Sequence, residues 1–116
     1  MVFEIVRSRD SIKDLELIFD HLVESYVNLG DTPADATNRA ADRIRAIRAD
    51  MQAIANAPHQ GTLLSPIAMG LRSVTKNRAI FYFDVDDERQ LVVVLAVFFG
   101  GQDHRQHMLR RLGSSD

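Results

Sequence analysis

The chain has 116 residues, 46% of them hydrophobic and 26% charged, which gives room for one domain with one core and does not fit disorder. A net charge of −2 argues against a domain whose whole task is to grip nucleic acid, because such domains carry a basic excess. There is no cysteine, so disulfides, thiolate metal sites and Cys nucleophiles are excluded, as suits a reducing cytoplasm.

Taken in chain order, Val2 to Val6 has β-type composition, and Ser8 or Ser11 is placed to cap a helix. Ile12, Leu15, Phe19, Leu22, Val23 and Tyr26 recur at three- and four-residue steps, which predicts an amphipathic helix ending at Leu29-Gly30. Asp31-Thr32-Pro33 then announces a second helix. Its apolar stripe is Ala40, Ile44, Ile47, Met51 and Ile54, its opposite face carries Arg39, Asp42, Arg43 and Asp50, and Ala57-Pro58 ends it. So short a connection makes the two helices antiparallel neighbours.

Beyond Pro66 the period changes. Gly70 to Thr75 reads as a strand and Lys76-Asn77 as a turn. Arg78 to Val85 alternates, with Ala79, Phe81, Phe83 and Val85 on one face and Ile80 and Tyr82 on the other. Leu91 to Phe99 is apolar on both faces and belongs in the middle of a sheet. Gln102 to Leu112 fits a short helix with Met108, Leu109 and Leu112 inward, and residues 113–116 read as a loose tail. The expected fold is therefore α+β: a helical hairpin packed on an antiparallel sheet, in the order β-α-α-β-β-β with a short C-terminal helix. Residues 1–112 form one domain, with the N-terminal strand added to the sheet and part of one face left open.

The longest apolar run is too short to cross a bilayer, and Glu4, Arg7, Arg9 and Asp10 interrupt any leader-like stretch, so the expected location is cytoplasmic with no membrane partner. Residues 61–116 are the more cationic part, net +1 against −3 for residues 1–60. Arg72, Lys76, Arg78 and Tyr82 fall on adjacent strands and their turn, where they read either as a cationic groove with an aromatic or as a solvated hairpin. Asp103, His104 and His107 offer a general base or a partial metal site, against the plainer reading of a solvated helix start. Asp84, Asp86, Asp87 and Glu88 lack calcium-loop spacing and read as a polar turn. There is no phosphate-binding glycine loop, nucleophile elbow or HExxH, so no cofactor and no metal are expected.

Several strings in order resemble the ParE/RelE superfamily, the toxins of type II toxin–antitoxin systems often called plasmid stabilisation proteins. They are Val6-Arg7-Ser8, Asp14 to Leu22, Gly70-Leu71-Arg72, Asn77 to Tyr82, and Val97 to His104. The resemblance covers nearly the whole chain; its specificity lies in the ordered set, since no single motif is diagnostic. It implies a toxin that causes growth arrest and is neutralised by a cognate antitoxin laid over the groove between hairpin and sheet. ParE-like members bind DNA gyrase and stall it on cleaved DNA, with no chemistry of their own. RelE-like members are mRNA interferases, endoribonucleases that cut messenger RNA in the ribosome with basic residues, often helped by Tyr, His or Glu. By position, Arg72, Arg78 and Tyr82 match the family's strand arginines and aromatic, and His104 is a further catalytic candidate. Phe99 stands where many relatives have a histidine, and that departure favours the gyrase-directed branch over the nuclease.

Overall fold

The computed structural model describes residues 2–100 and the backbone of 104–113, with side chains at 108–112 in that last stretch. Strand β1 (Glu4–Arg7) leads into helices α1 (Arg9–Asn28) and α2 (Pro33–Ala53). A single 3₁₀ turn (Ile54–Asn56), a two-residue strand β2 (Thr62–Leu63), strands β3 (Arg72–Lys76), β4 (Ala79–Asp86) and β5 (Leu91–Phe99), and helix α3 (His104–Gly113) follow.

The helix boundaries follow from local chemistry. Ser8 is the cap of α1: its hydroxyl oxygen accepts the Ser11 N–H at 3.1 Å, while Ser11 turns its own hydroxyl back onto the Ser8 carbonyl at 2.8 Å. Thr32 does the same for α2, accepting the Asp35 N–H at 3.2 Å, with Pro33 in the first turn. Such caps are worth about 1 kcal/mol each. At the far end of α1, Gly30 N–H donates to the Val27 carbonyl and Asp31 N–H to that of Tyr26, a Schellman motif. It needs the left-handed backbone that Gly30 supplies at φ 111°.

The five strands form one sheet in the order β1-β5-β4-β3-β2. The antiparallel expectation holds for β2 to β5, but β1 runs parallel to β5, pairing Glu4 with Leu91 through Arg7 with Val94, so the sheet is mixed. The reason is topological: the two helices return the chain to the side where it started, and their crossover lets a parallel strand dock. Central placement of β5 is borne out, since it lies between β1 and β4. The β3–β4 turn falls one residue later than expected, at Asn77-Arg78. Both residues have positive φ (50° and 72°), the geometry of a two-residue hairpin loop.

The hairpin covers one face. Leu15, Ile18 and Leu22 of α1 and Ala40, Ile44, Ile47 and Met51 of α2 bury against Phe81, Phe83, Val92, Val94 and Val97. Ile12, expected in this stripe, is 44% exposed, and Ile18 takes its place. The opposite face is only partly covered: α3 and the segment before β3 close over Leu71, Tyr82, Ala96 and Phe98 with Met108 at the centre. Leu109, expected inward, is exposed, whereas Leu112 packs on this second core.

Both faces depend on a bulge in β5. Tyr82 pairs with Ala96 and Phe83 with Val94, leaving Leu95 opposite nothing. The extra residue shifts the alternation, so Val92 and Val94 face the hairpin before it, and Val97 and Phe99 do so after it.

Candidate binding site

The bulge exposes backbone groups that strict pairing would have satisfied, and three side chains take them up. Ser8 Oγ donates to the Leu95 carbonyl at 3.2 Å. Asp14 Oδ2 accepts the Val97 N–H at 2.9 Å. Arg111 on α3 donates to the Leu95 carbonyl at 3.2 Å and clasps Asp14 with both terminal nitrogens at 2.9 Å. This two-pronged bond raises the Arg111 pKa further above its ordinary value. Asp14 is 6% exposed, so the pair ties α1, β5 and α3 together in a dry place.

At the C-terminal end of β5 the hairpin side carries a second arrangement. The guanidinium carbon of Arg43 lies 5.2 Å from the Phe99 ring centroid and that of Arg78 lies 5.7 Å from it, both within cation–π range. Arg43 donates to the Asn77 carbonyl at 2.9 Å, and Asn77 donates its amide to Asp50 at 3.0 Å, so α2 holds the β3–β4 turn in place. Among the described residues neither Arg43 nor Arg78 meets a carboxylate within ion-pair distance. One turn back on α2, Arg39 lies 4.0 Å over the Tyr26 ring and pairs with Asp31 at 2.7 Å, a bond that raises its pKa. Phe99 also lines a cleft of about 210 Å³ between α1, the end of β5 and α3, whose walls include Leu17, Ile18, His21 and Phe98 and whose floor holds the Asp14–Arg111 pair.

Of the candidate catalytic residues from the sequence, Arg72, Arg78 and Tyr82 are not brought together. Arg72 pairs across the sheet with Phe83, on the hairpin side, and donates to the His59 carbonyl at 2.9 Å. Tyr82 pairs with Ser73 and Ala96 on the opposite face, is 2% exposed, and meets Phe98 edge to face at 6.0 Å. Arg78 lies beyond the other end of β3 from Arg72, past four residues of strand that span about 13 Å. The side chains of His104 and His107, like Asp103, lie outside the described residues. The polar-turn reading holds for Asp87 and Glu88, with Asp87 meeting His59 at 2.7 Å, whereas Asp84 and Asp86 belong to β4, where they pair with Val93 and Leu91, and Asp86 accepts the Arg89 N–H at 3.0 Å. Sequence reasoning did not single out Arg43, Asn77, His21 or the Asp14–Arg111 pair. For Arg43 and Asn77 the signal was a cation at helical spacing facing a two-residue turn; for a bond between residues 97 apart there was none.

The architecture is that of an α+β domain, with a helical hairpin on a mixed sheet and a C-terminal helix behind it. No protein-family model matches the sequence, and no curated protein matches it. Among solved structures, the chain is similar to the RelBE2 toxin–antitoxin complex of Mycobacterium tuberculosis, with a TM-score of 0.62 and 14% identity over 88% of this chain and 95% of that one. It is also similar to the chromosomal ParDE system of P. aeruginosa (TM-score 0.63, 19% identity, 84% and 96% covered). A third structure is a mutant of the E. coli toxin RelE in the free state (TM-score 0.59, 9% identity, 97% and 98% covered). At such identities the likeness establishes the fold. Among the described residues, no helix is long and apolar enough to cross a membrane.

Proposed function

We propose that this chain is the toxin of a type II toxin–antitoxin pair, acting in the cytoplasm by binding DNA gyrase, without chemistry of its own, and silenced by a cognate antitoxin. The fold likeness to RelE- and ParE-type toxins supports the toxin class. The observation that carries the binding mode is the placement of Arg72, Arg78 and Tyr82. Messenger cleavage requires a base near the ribose 2′-OH and cations around one phosphorane. Here the tyrosine is sealed under α3, and the two arginines lie at opposite ends of a strand. What clusters instead is Arg43, Arg78 and Phe99, an arrangement suited to gripping a surface.

A second reading has its own support: a pair of guanidiniums without carboxylates also suits a phosphodiester, as ribosome-dependent messenger cleavage would require. The test is expression of the chain alone and with its neighbouring gene. Growth arrest relieved by the neighbour is expected, with gyrase trapped covalently on cleaved DNA. Messenger cleavage at codon positions selects the second reading, and absence of arrest refutes both.

A further inference from the structure

We infer that the uncovered half of the sheet's α3 side is a docking surface for a second copy of this chain. In the resulting two-fold dimer each copy's C-terminal helix covers the other's bare half-face. Such pairing needs nothing from the toxin reading above.

The sheet separates charge between its two sides. The strand cations Arg7, Arg72 and Lys76 pair with Val94, Phe83 and Ala79, so they turn to the hairpin side. The strand acids turn the other way: Glu4 and Asp86 flank Leu91, and Asp84 pairs with Val93. Val6 pairs with Val93 from the other edge, so two rows cross β1, β5 and β4 on that side, Glu4-Leu91-Asp86 and Val6-Val93-Asp84. An aliphatic centre is thereby rimmed with carboxylates. Val6 is 38% exposed, and the half-buried Leu91 and Val93 belong to neither core. The cause is that α3 and the segment before β3 close over the far end, at Tyr82, Ala96 and Phe98.

Such a surface calls for an apolar ridge that carries cations, and α3 is one. Met108, Arg111 and Leu112 turn to their own sheet, which leaves Leu109, 44% exposed, and the exposed Arg110 on the outer surface. The helix contains three arginines and no acid. Helix and bare half occupy opposite ends of one face. A half-turn about an axis parallel to the sheets and across the strands therefore lays each α3 on the partner's bare half, two helices side by side between two sheets. Both copies use the same patches, so the assembly closes as a pair. Burial already raises the Asp84 pKa, so a guanidinium gains more beside it than beside a fully solvated carboxylate. Phosphates are repelled by the three acids, and Glu4 and Asp86 stand two strands apart, about 9.6 Å, too far to share a metal ion. The ten-residue α3 is about 15 Å long and about 10 Å wide, so the two contacts reach the lower end of specific interfaces and a dissociation constant near ~100 µM is expected.

Sedimentation equilibrium of the full chain from about 10 to about 500 µM reads the association by mass action. Expected is a reversible monomer–dimer equilibrium that weakens about fivefold between about 50 and about 500 mM salt. Arg110→Glu and Glu4→Lys/Asp84→Lys each weaken it at least about tenfold, since like charges then meet, and Leu109→Ser does the same by removing the apolar contact. An equimolar mixture of the two charge variants recovers native affinity to within about threefold, because both reciprocal contacts again join opposite charges. Arg7→Glu, on the same strand but on the hairpin side, leaves the association unchanged.

Pairing is refuted if the native chain stays monomeric at the highest concentration, if Arg7→Glu weakens it as much as Arg110→Glu, or if the mixed variants remain monomers. Open-ended growth beyond the dimer refutes it as well. So does a chain that stays monomeric yet binds a labelled peptide LRRLLRRL through Glu4 and Asp84, which assigns the face to a separate cationic partner. Circular dichroism verifies folding; should the double variant unfold, Glu4→Lys alone, at an exposed position, replaces it in the mixture.

Discussion

Removing Arg111 strands a carboxylate where water barely reaches. In the native chain Asp14 has three bonds, one from the Val97 N–H and two from Arg111, each at 2.9 Å. The Asp14 side chain is 7% exposed and that of Arg111 27%. Breaking a buried pair from one side costs about 3–5 kcal/mol, and the partial exposure of Arg111 points to the lower end for Arg111→Leu, about 3 kcal/mol. For a domain of this size that is a fall in Tm of about 12 °C. Asp14→Asn in the same chain removes the stranded charge, while its amide oxygen still accepts the Val97 N–H. The double variant is therefore expected to regain more than half of the loss. Urea unfolding at pH 7 of all four chains closes the cycle, read as a coupling free energy. A coupling below about 0.5 kcal/mol, or a double variant no more stable than Arg111→Leu, would refute the view that this pair fastens α3 to the domain.

Gly61 has φ 83°, and a Cβ there would lie 2.2 Å from the Ser73 carbonyl oxygen, so Gly61→Ala should cost at least about 2 kcal/mol by thermal unfolding. Arg78 sits in the left-handed region at φ 72°, which costs a side-chain-bearing residue about 1 kcal/mol. Arg78→Gly should thus be neutral or stabilising in urea unfolding. Burial holds the Asp84 carboxyl above its ordinary pKa of 3.8. A raised folded-state pKa means stability declines as pH climbs from about 3.8 through the folded value and then levels off. Asp84→Asn should therefore raise Tm at pH 7 and leave it unchanged at pH 3, as scanning calorimetry would report.

The hairpin, the meander and the centrality of β5 were legible because each rests on local chemistry: caps, a proline in the first turn, and apolar spacing that changes from helical to alternating. What escaped was set at long range. Nothing in Glu4 to Arg7 says that its neighbour will be β5 and parallel, since strand pairing is decided by where the intervening helices deliver the chain. The arginines at the edge were half legible. Arg78 was marked as a strand cation next to the turn, but Arg43 read as one more cation on a polar face, since nothing local says that α2 packs against that turn. For Tyr82 the sequence left open a stacking aromatic or a plain strand residue, because its burial is set by α3, a short segment whose docking depends on Met108 and Arg111.

The bulge at Leu95 links the two halves of the molecule. Without the extra residue, strict alternation from Val92 and Val94 would bring Ala96 and Phe98 to the hairpin side and turn Phe99 away from it. Phe99 could then offer no ring to Arg43 on α2, and the cleft beneath α1 would lose that wall. The groups that stabilise the bulge are Ser8 at the start of α1, Asp14 two turns into it, and Arg111 on α3. A single irregular residue thus fixes which aromatic faces the arginines, and the same contacts hold the C-terminal helix over Tyr82. The aromatic edge and fold stability thus share one set of hydrogen bonds, so substitutions at Ser8, Asp14 or Arg111 act on both.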